Sequence, residues 1–107
     1  MEREIIFSND VKVFLTDLVD ILYSKNYFGF EEDAKSYVQE IVFYIMNFNF
    51  QVNIYESPEN CRKFGRKFFR YKANNNTSWY IFFDQKEHKF LINHITNNHS
   101  QDFPDLL

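Results

Sequence analysis

Hydrophobic residues recur at helical spacing through the first half of the chain. A short apolar run at Glu4–Ser8 predicts a first strand, and Ser8–Asp10 then offers side chains that cap helices. Two amphipathic segments follow, one running to about Lys25 and one opening with the acids of Glu31–Asp33. Gly29 lies in the short link between them, so the pattern predicts an antiparallel helix hairpin. The apolar positions are Val11, Phe14, Leu15, Leu18, Val19, Ile21 and Leu22, then Ala34, Tyr37, Val38, Ile41, Val42, Tyr44 and Ile45.

The periodicity changes near residue 50 from helical to alternating. Residues 47–61 predict the end of the second helix, an extended segment and a loop at Ser57–Asn60. Three strands follow, a basic one after Gly65, then SWYIFFD and then KFLINHITNN, with turns at Asn74–Thr77 and Gln85–Glu87. We therefore predict an α+β fold in one domain, residues 1–107. It contains a strand, an antiparallel helix hairpin and a three-stranded antiparallel meander, with the helices packed on one face of the sheet.

The composition fits a single aromatic-rich domain with a reduced cysteine. The chain has 107 residues, with 14 Phe and 7 Tyr. Cys61 is the only cysteine, so no internal disulfide can form, and this favours the cytoplasm. The longest wholly apolar run, Ile41–Met46, is far shorter than the roughly 20 residues that a membrane-spanning helix needs. We expect a cytoplasmic protein that makes no use of a membrane.

Positive charge is concentrated in one segment. Arg62–Lys72 holds six of the twelve Lys and Arg residues and no acid, while the whole chain has a net charge of −3. Residues 1–50 hold nine acids and four bases. Cations interleaved with Phe and Tyr suit a phosphate-bearing or acidic partner. A solvated edge strand kept soluble by Lys and Arg has the same pattern, so charge alone leaves both interpretations open.

Alternation divides the basic strand into two faces. If Phe69 and Tyr71 face the helices, Lys67 shares their side. The open face then carries three cations whose spacing suits adjacent phosphates, namely Arg66, Arg70 and Lys72.

The histidines are the candidates for proton transfer near neutral pH. Simple alternation places His94 on the same face as Phe90 and Ile92, and His99 follows the last strand. A surface or packing role is the alternative for both. Cys61 and the histidines lack the close ligand pairs of a zinc site, so we expect no metal, and no motif indicates a cofactor.

The order of elements resembles the RelE/ParE toxin superfamily of bacterial type II toxin–antitoxin modules. The resemblance spans nearly the whole chain and is most telling at Phe64–Ser100, which reads FGRKFFRYKANNNTSWYIFFD…KFLINHITNNHS. Members are small cytoplasmic proteins with a first strand, a helix hairpin and a C-terminal antiparallel meander. RelE-type members cut mRNA on the ribosome with Arg and Lys from the sheet and a Tyr or His near the last strand. ParE-type members bind and poison DNA gyrase without nuclease chemistry.

The resemblance implies a toxin-like protein and assigns roles to its residues. It places Arg66, Lys67 and Arg70 where the family's sheet has its first basic residues, and with Lys72 of the open face they form the expected nucleic-acid-binding set. It places His94 or His99 near the terminal acid/base of the family, so the expected catalytic residues are Arg70 with His94 or His99. The first hypothesis is a ribosome-dependent mRNA endoribonuclease.

Non-catalytic functions stay open, because the WYIFF strand has no Arg and the net charge is acidic. One is a protein-binding module of the gyrase-poisoning type, and another is a fold relative that binds an antitoxin. The implied partners are a cognate antitoxin that covers the basic strand, and either mRNA on the ribosome or DNA gyrase.

Overall fold

The computed structural model describes residues 3–24 and 29–99, which form two helices packed on a five-stranded sheet. The α+β class and the packing of the helices against the sheet are therefore confirmed. The link at 25–28 and the tail at 100–107 lie outside the described residues. The elements in chain order are β1 (Glu4–Phe7), α1 (Asn9–Ser24), α2 (Glu31–Met46), β2 (Tyr55–Glu56), a short 3₁₀ helix (Glu59–Cys61), β3 (Lys67–Lys72), β4 (Ser78–Lys86) and β5 (Lys89–Asn97).

The sheet is mixed, with the strand order β1-β5-β4-β3-β2. Strands β3, β4 and β5 form the antiparallel meander that the alternating pattern predicts. Strand β1 joins the far edge in parallel with β5, and the two-residue β2 pairs antiparallel with the start of β3. Strand β4 runs to Lys86, so Gln85 and Lys86 belong to the strand, and the turn consists of Glu87 and His88.

The segment between α2 and β2 turns instead of extending. Phe48 and Phe50, whose alternation suggests a strand, are both buried in the core. Arg3 holds the end of α2, because its guanidinium donates to the carbonyls of Phe48 and Met46 and lies 5.5 Å from the Phe50 ring centroid. A cation at a helix C-terminus is favoured by the helix dipole.

Both helices bury most of their predicted apolar positions on one face of the sheet, but Ile21 of α1 is 45 % exposed, so its predicted place on the buried side is wrong. The fully buried positions include Val11 of α1 and Ile41 and Ile45 of α2. Across the described residues, neither helix is long and apolar enough to cross a membrane. Rings dominate this core, with Phe48 stacked 3.8 Å from Phe69 between centroids, and the Trp79 indole N–H donating to the Tyr37 hydroxyl at 2.9 Å.

The other side of the sheet, which we call the second face, is not open along its whole length. Residues 57–65 fold over it, and together with Cys61 the strand residues Phe68, Tyr80 and Phe82 are buried there, with Phe64 packed against them. The expectation that this face of β3 is open thus needs correction at the Phe68 end. It holds at Arg70 and Lys72, which are exposed.

A β-bulge in the β4–β5 pairing changes the face of His94. Phe82 lies opposite His94 while Phe83 lies opposite Ile92, so Asn93 has no residue opposite it. The extra residue shifts the alternation by one position. Phe90 and Ile92 therefore face the helices, whereas His94 lies on the second face. The prediction that these three residues share a face is wrong for this reason.

Gly65 allows the 57–65 segment to approach β4 closely. Its φ is +156°, and a Cβ built there would lie 2.8 Å from the backbone nitrogen of Phe83. Real Cβ atoms do not come so close to backbone, so any side chain at this position forces the segment away from the sheet.

We therefore expect Gly65→Ala to destabilise the fold by about 1–3 kcal/mol, the usual cost of overpacking a tight site. Gly29→Ala is the matched control, because nothing lies within 4 Å of a Cβ at that position. Urea unfolding of both variants beside the wild type measures the difference. Equal midpoints for the two variants would contradict the close approach of Gly65 to β4.

Candidate functional site

The strand register arranges the side chains of the second face in rows, because directly opposed residues of antiparallel strands share a face. The middle row consists of Arg70, Tyr80 and Thr96 from β3, β4 and β5. The row on one side of it consists of Phe68, Phe82 and His94. The row on the other side begins with Lys72 and Ser78.

The middle of this face brings together a cation, a hydroxyl and an imidazole. Tyr80 is directly opposite Arg70, at a Cβ separation of about 4.5–5.5 Å for such pairs. His94 is a diagonal neighbour of Tyr80 on the next strand, at a distance of about 7–8 Å for such positions. We call Arg70, Tyr80 and His94 the second-face trio. The sequence indicates Arg70 and His94 as candidates, but simple alternation separates them, and the bulge places them on one face.

Arg70 is held at the rim of the trio by an aromatic neighbour. Its Nη2 donates to the Tyr55 hydroxyl at 3.0 Å, and its guanidinium carbon lies 4.9 Å from the Tyr55 ring centroid. The Tyr55 ring in turn stacks on Phe68 at 5.5 Å. The guanidinium is therefore oriented while it stays exposed to solvent, a state in which it can take an anionic ligand.

Tyr80 is buried, and burial raises the pKa of its hydroxyl above the ordinary value of 10.0 while the Arg70 charge lowers it in part. The hydroxyl is therefore protonated at neutral pH and able to donate a hydrogen bond or a proton. Sequence reasoning missed both Tyr80 and Tyr55 as site residues. The signal that points to Tyr80 is the strand register. It pairs Tyr80 with Arg70, so the Tyr80 side chain lies on the same face of the sheet as Arg70 and Phe68.

His94 is sandwiched into the second-face core. Its ring stacks on Phe64 with centroids 3.9 Å apart and planes 11° apart, and Phe82 lies 6.0 Å away. The side chain is half-buried. Phe64 therefore fixes the orientation of the imidazole and shields one of its faces from water.

His99 lies apart from the trio, beside the turn between β3 and β4. Its Nε2 is 3.3 Å from the Thr77 hydroxyl, and its backbone N–H donates to the Asn97 side chain at 2.9 Å. Asn98 binds the same turn through the Asn76 carbonyl. The structure thus places His99 within a network that joins the end of β5 to the Asn-rich turn.

The other two cations of the expected nucleic-acid-binding set are not part of the trio. Lys67 lies opposite Phe83, whose side chain is in the helix-side core, so Lys67 is on the other side of β3 from Arg70. Arg66 is exposed just before β3, and its backbone N–H donates to Asp84, which also accepts from the bulge residue Asn93 at 2.6 Å. The structure places Arg70 and Lys72 together but not with Lys67.

A groove of about 450 Å³ lies at the β3 end of the second face. It is lined by Arg70 and Lys72 with neighbouring polar and aromatic side chains, namely Tyr44, Asn53, Tyr55 and Ser78. The groove offers two cations, three hydroxyls and two tyrosine rings, which together suit a phosphate or carboxylate. Among the residues that the structure describes, no cluster of His, Cys, Asp or Glu has the arrangement of a metal site.

Comparison with known proteins does not identify a family. No protein-family model matches the chain, no curated protein does, and no solved structure does. The resemblance to the RelE/ParE superfamily therefore stays a prediction.

The proximity of Arg70 to Tyr80 is testable by titration. Arg70→Gln removes the positive charge that favours the phenolate, so we expect the pKa of Tyr80 to rise further. The control Lys63→Gln removes a cation that lies over the Phe64 ring, and it leaves the pKa of Tyr80 unchanged. Residue-resolved NMR of the tyrosine rings at alkaline pH gives both values. An unchanged Tyr80 pKa in Arg70→Gln contradicts the pairing of the two side chains.

Proposed function

We propose that this protein is the toxin-like component of a bacterial toxin–antitoxin module and acts as a ribosome-dependent mRNA endoribonuclease. The observation that carries the proposal is the second-face trio, which joins an exposed Arg, a buried and protonated phenol and a half-buried, oriented imidazole on one face of the sheet. Lys72 and the adjacent groove extend this surface with a second cation. The proposal places the protein in the bacterial cytoplasm, with a cognate antitoxin as its partner.

The trio supplies the groups that RNA cleavage by an internal nucleophile requires. The ribose 2′-oxygen attacks the phosphorus, a new O–P bond forms and the bond from phosphorus to the 5′-oxygen breaks. In our proposal His94 accepts the 2′-hydroxyl proton, and Tyr80 donates a proton to the leaving 5′-oxygen. The products are a 2′,3′-cyclic phosphate and a free 5′-hydroxyl. Arg70 and Lys72 stabilise the negative charge that builds on the phosphoryl oxygens.

His99 is the alternative proton acceptor. It lies near the Lys72 and Ser78 row, next to Thr77, rather than next to Tyr80. Lys72 is directly opposite Ser78, the neighbour of Thr77, so His99 lies at the Lys72 end of this strand pair. Substitution of each histidine separately therefore reports which end of the second face holds the reacting phosphate.

A non-catalytic, protein-binding toxin is the second candidate. The flat stacking of Phe64 on His94, 3.9 Å between centroids, favours it because it gives the imidazole a packing role. The helices also carry exposed acids, and Phe43 of α2 is an apolar side chain that is 72 % exposed. Such a surface suits a protein target such as DNA gyrase better than it suits RNA.

Cleavage of mRNA on translating ribosomes tests the first proposal. We expect the wild type to cut, and His94→Ala or Tyr80→Phe to lower the rate by about 10²–10⁴, as loss of a proton-transfer group does. Arg70→Gln is expected to lower the rate too, and to reduce the salt dependence of RNA binding by about 0.7 in the log–log slope for one lost phosphate contact. Lys63→Gln is the control, because Lys63 lies outside the trio and the groove.

The outcomes separate the candidates. Undiminished cleavage in His94→Ala and loss in His99→Ala moves the reacting phosphate to the Lys72 end. Cleavage that survives both histidine variants and Tyr80→Phe contradicts the proton-transfer roles of these side chains. Growth arrest in cells without any cleavage favours the gyrase-type candidate.

A further inference from the structure

One edge of the sheet is open beside the cationic groove. Strand β2 pairs only with Lys67 and Phe68, the first two residues of β3. The backbone carbonyl of Arg70 points away from β4. This is shown by the hydrogen bond of 3.1 Å that it accepts from the Tyr44 hydroxyl. Since alternate residues direct both backbone polar groups to the same side, Lys72 presents its N–H and C=O to that edge as well. In the part of the chain that the structure describes, no strand lies beyond this half of β3.

Two grooves of opposite character flank this edge. The groove on the second face contains Arg70 and Lys72. The groove on the helix side, about 480 Å³, is lined by the aromatic rings of Phe43, Tyr44 and Tyr71, with Ser36, Gln39 and Glu40 of α2 beside them. A strand added to the edge would direct alternate side chains into the two grooves.

We propose that the β3 edge binds an extended segment of a partner protein by strand addition, and that this segment alternates acidic and apolar residues. The acidic side chains of the segment pair with Arg70 and Lys72. The apolar side chains pack on Phe43, Tyr44 and Tyr71. The backbone of the segment bonds the N–H and C=O groups of Arg70 and Lys72.

Charge fixes which residues of the segment face which groove. Glu40 lines the helix-side groove, close enough to Tyr71 that its charge helps to raise the pKa of the Tyr71 hydroxyl, after the larger effect of burial. Glu40 therefore repels acids on that side, while Arg70 and Lys72 attract them on the other. Pairing of β3 with β3 of a second copy is disfavoured, because it places like charges opposite one another.

Binding at the edge does not depend on the proposed function. If the second face does bind RNA, the two ligands compete for Arg70 and Lys72, and the added strand excludes RNA. Direct binding of a peptide tests the edge without any measurement of cleavage, so failure of one proposal is distinguishable from failure of the other.

The probe is a synthetic peptide of about eight residues in which Glu alternates with Val, since this is a common strand length. A control peptide has the same composition with Glu and Val in two blocks, so it cannot place all its acids on one side. Two further peptides carry backbone N-methyl groups on alternate amides, one on the Glu positions and one on the Val positions. A strand bonded along one edge directs only one of these two sets toward β3.

We expect the alternating peptide to bind more tightly than the block peptide, and one N-methylated set to abolish binding while the other leaves it unchanged. Lys72→Gln weakens binding by about tenfold or less, with reduced salt dependence. Tyr44→Phe strengthens binding by about two- to tenfold, because it removes the hydroxyl that competes for the Arg70 carbonyl and keeps the aromatic ring. Lys63→Gln leaves binding unchanged.

Equal effects of the two N-methylated sets overturn the proposal, because they show that no strand is added. Weaker binding in Tyr44→Phe also overturns it, since the hydroxyl would then be a contact rather than a competitor. A dimer of the protein alone that dissociates when Lys72→Pro blocks the edge would show that a second copy is the occupant. Circular dichroism of each variant confirms that it is folded.

Discussion

Burial of β4 on both of its faces is the constraint on which the rest of the structure depends. All five residues of Trp79–Phe83 are 5 % exposed or less. A strand of this kind needs a cover on each side of the sheet, because fully burying one large apolar side chain is worth about 1.5–3 kcal/mol. The helix hairpin covers one side, and residues 57–65 cover the other. Gly65 is needed because the second cover meets the β4 backbone itself.

The helices and the meander were predictable from the sequence because their signals are local. Apolar spacing in residues 11–22 and 34–45 sets the buried sides of α1 and α2, and the switch to alternation sets the strands. The continuous run WYIFF is also a signal, since strands buried on both faces show no alternation. It indicates a second cover over the Phe68 side, where simple alternation in β3 alone suggested an open face. Parallel pairing of β1 with β5 depends on long-range packing, and no local pattern encodes it.

The bulge at Asn93 had no signal in the sequence, and it decides the composition of the candidate site. Alternation without it sends His94 into the helix-side core, away from every basic residue on the second face. With it, His94 shares a face with Arg70 and Tyr80, and this grouping is visible only once the register is known. Lys67 shows the opposite case, because the alternation in β3 is regular and separates it from Arg70 as the sequence predicts. One extra residue in a strand thus outweighs the charge pattern in determining which side chains can act together.

Arg70 and Lys72 lie where a face and an edge of the sheet meet. The face gives them the phenol and the imidazole that the proposed RNA cleavage would use. The edge gives them backbone groups that point outward, beside a largely aromatic groove that can take the apolar side chains of an added segment. One pair of cations can therefore serve a phosphate on the face or a carboxylate from the edge, but not both at once. In this account, a partner strand controls access to the second face by occupying the same charges.

The position of the His94 ring is the most direct test of this account, since both the second-face trio and its chemistry depend on the bulge. Nuclear Overhauser effects from the ring protons of His94, measured in solution, show which side chains lie next to the imidazole. The account predicts strong contacts with the ring protons of Phe64 and Phe82. Contacts with Phe90, Ile92 or the side chains of α1 instead would contradict it, because they would show that the strand alternates without a bulge and that His94 lies on the helix side.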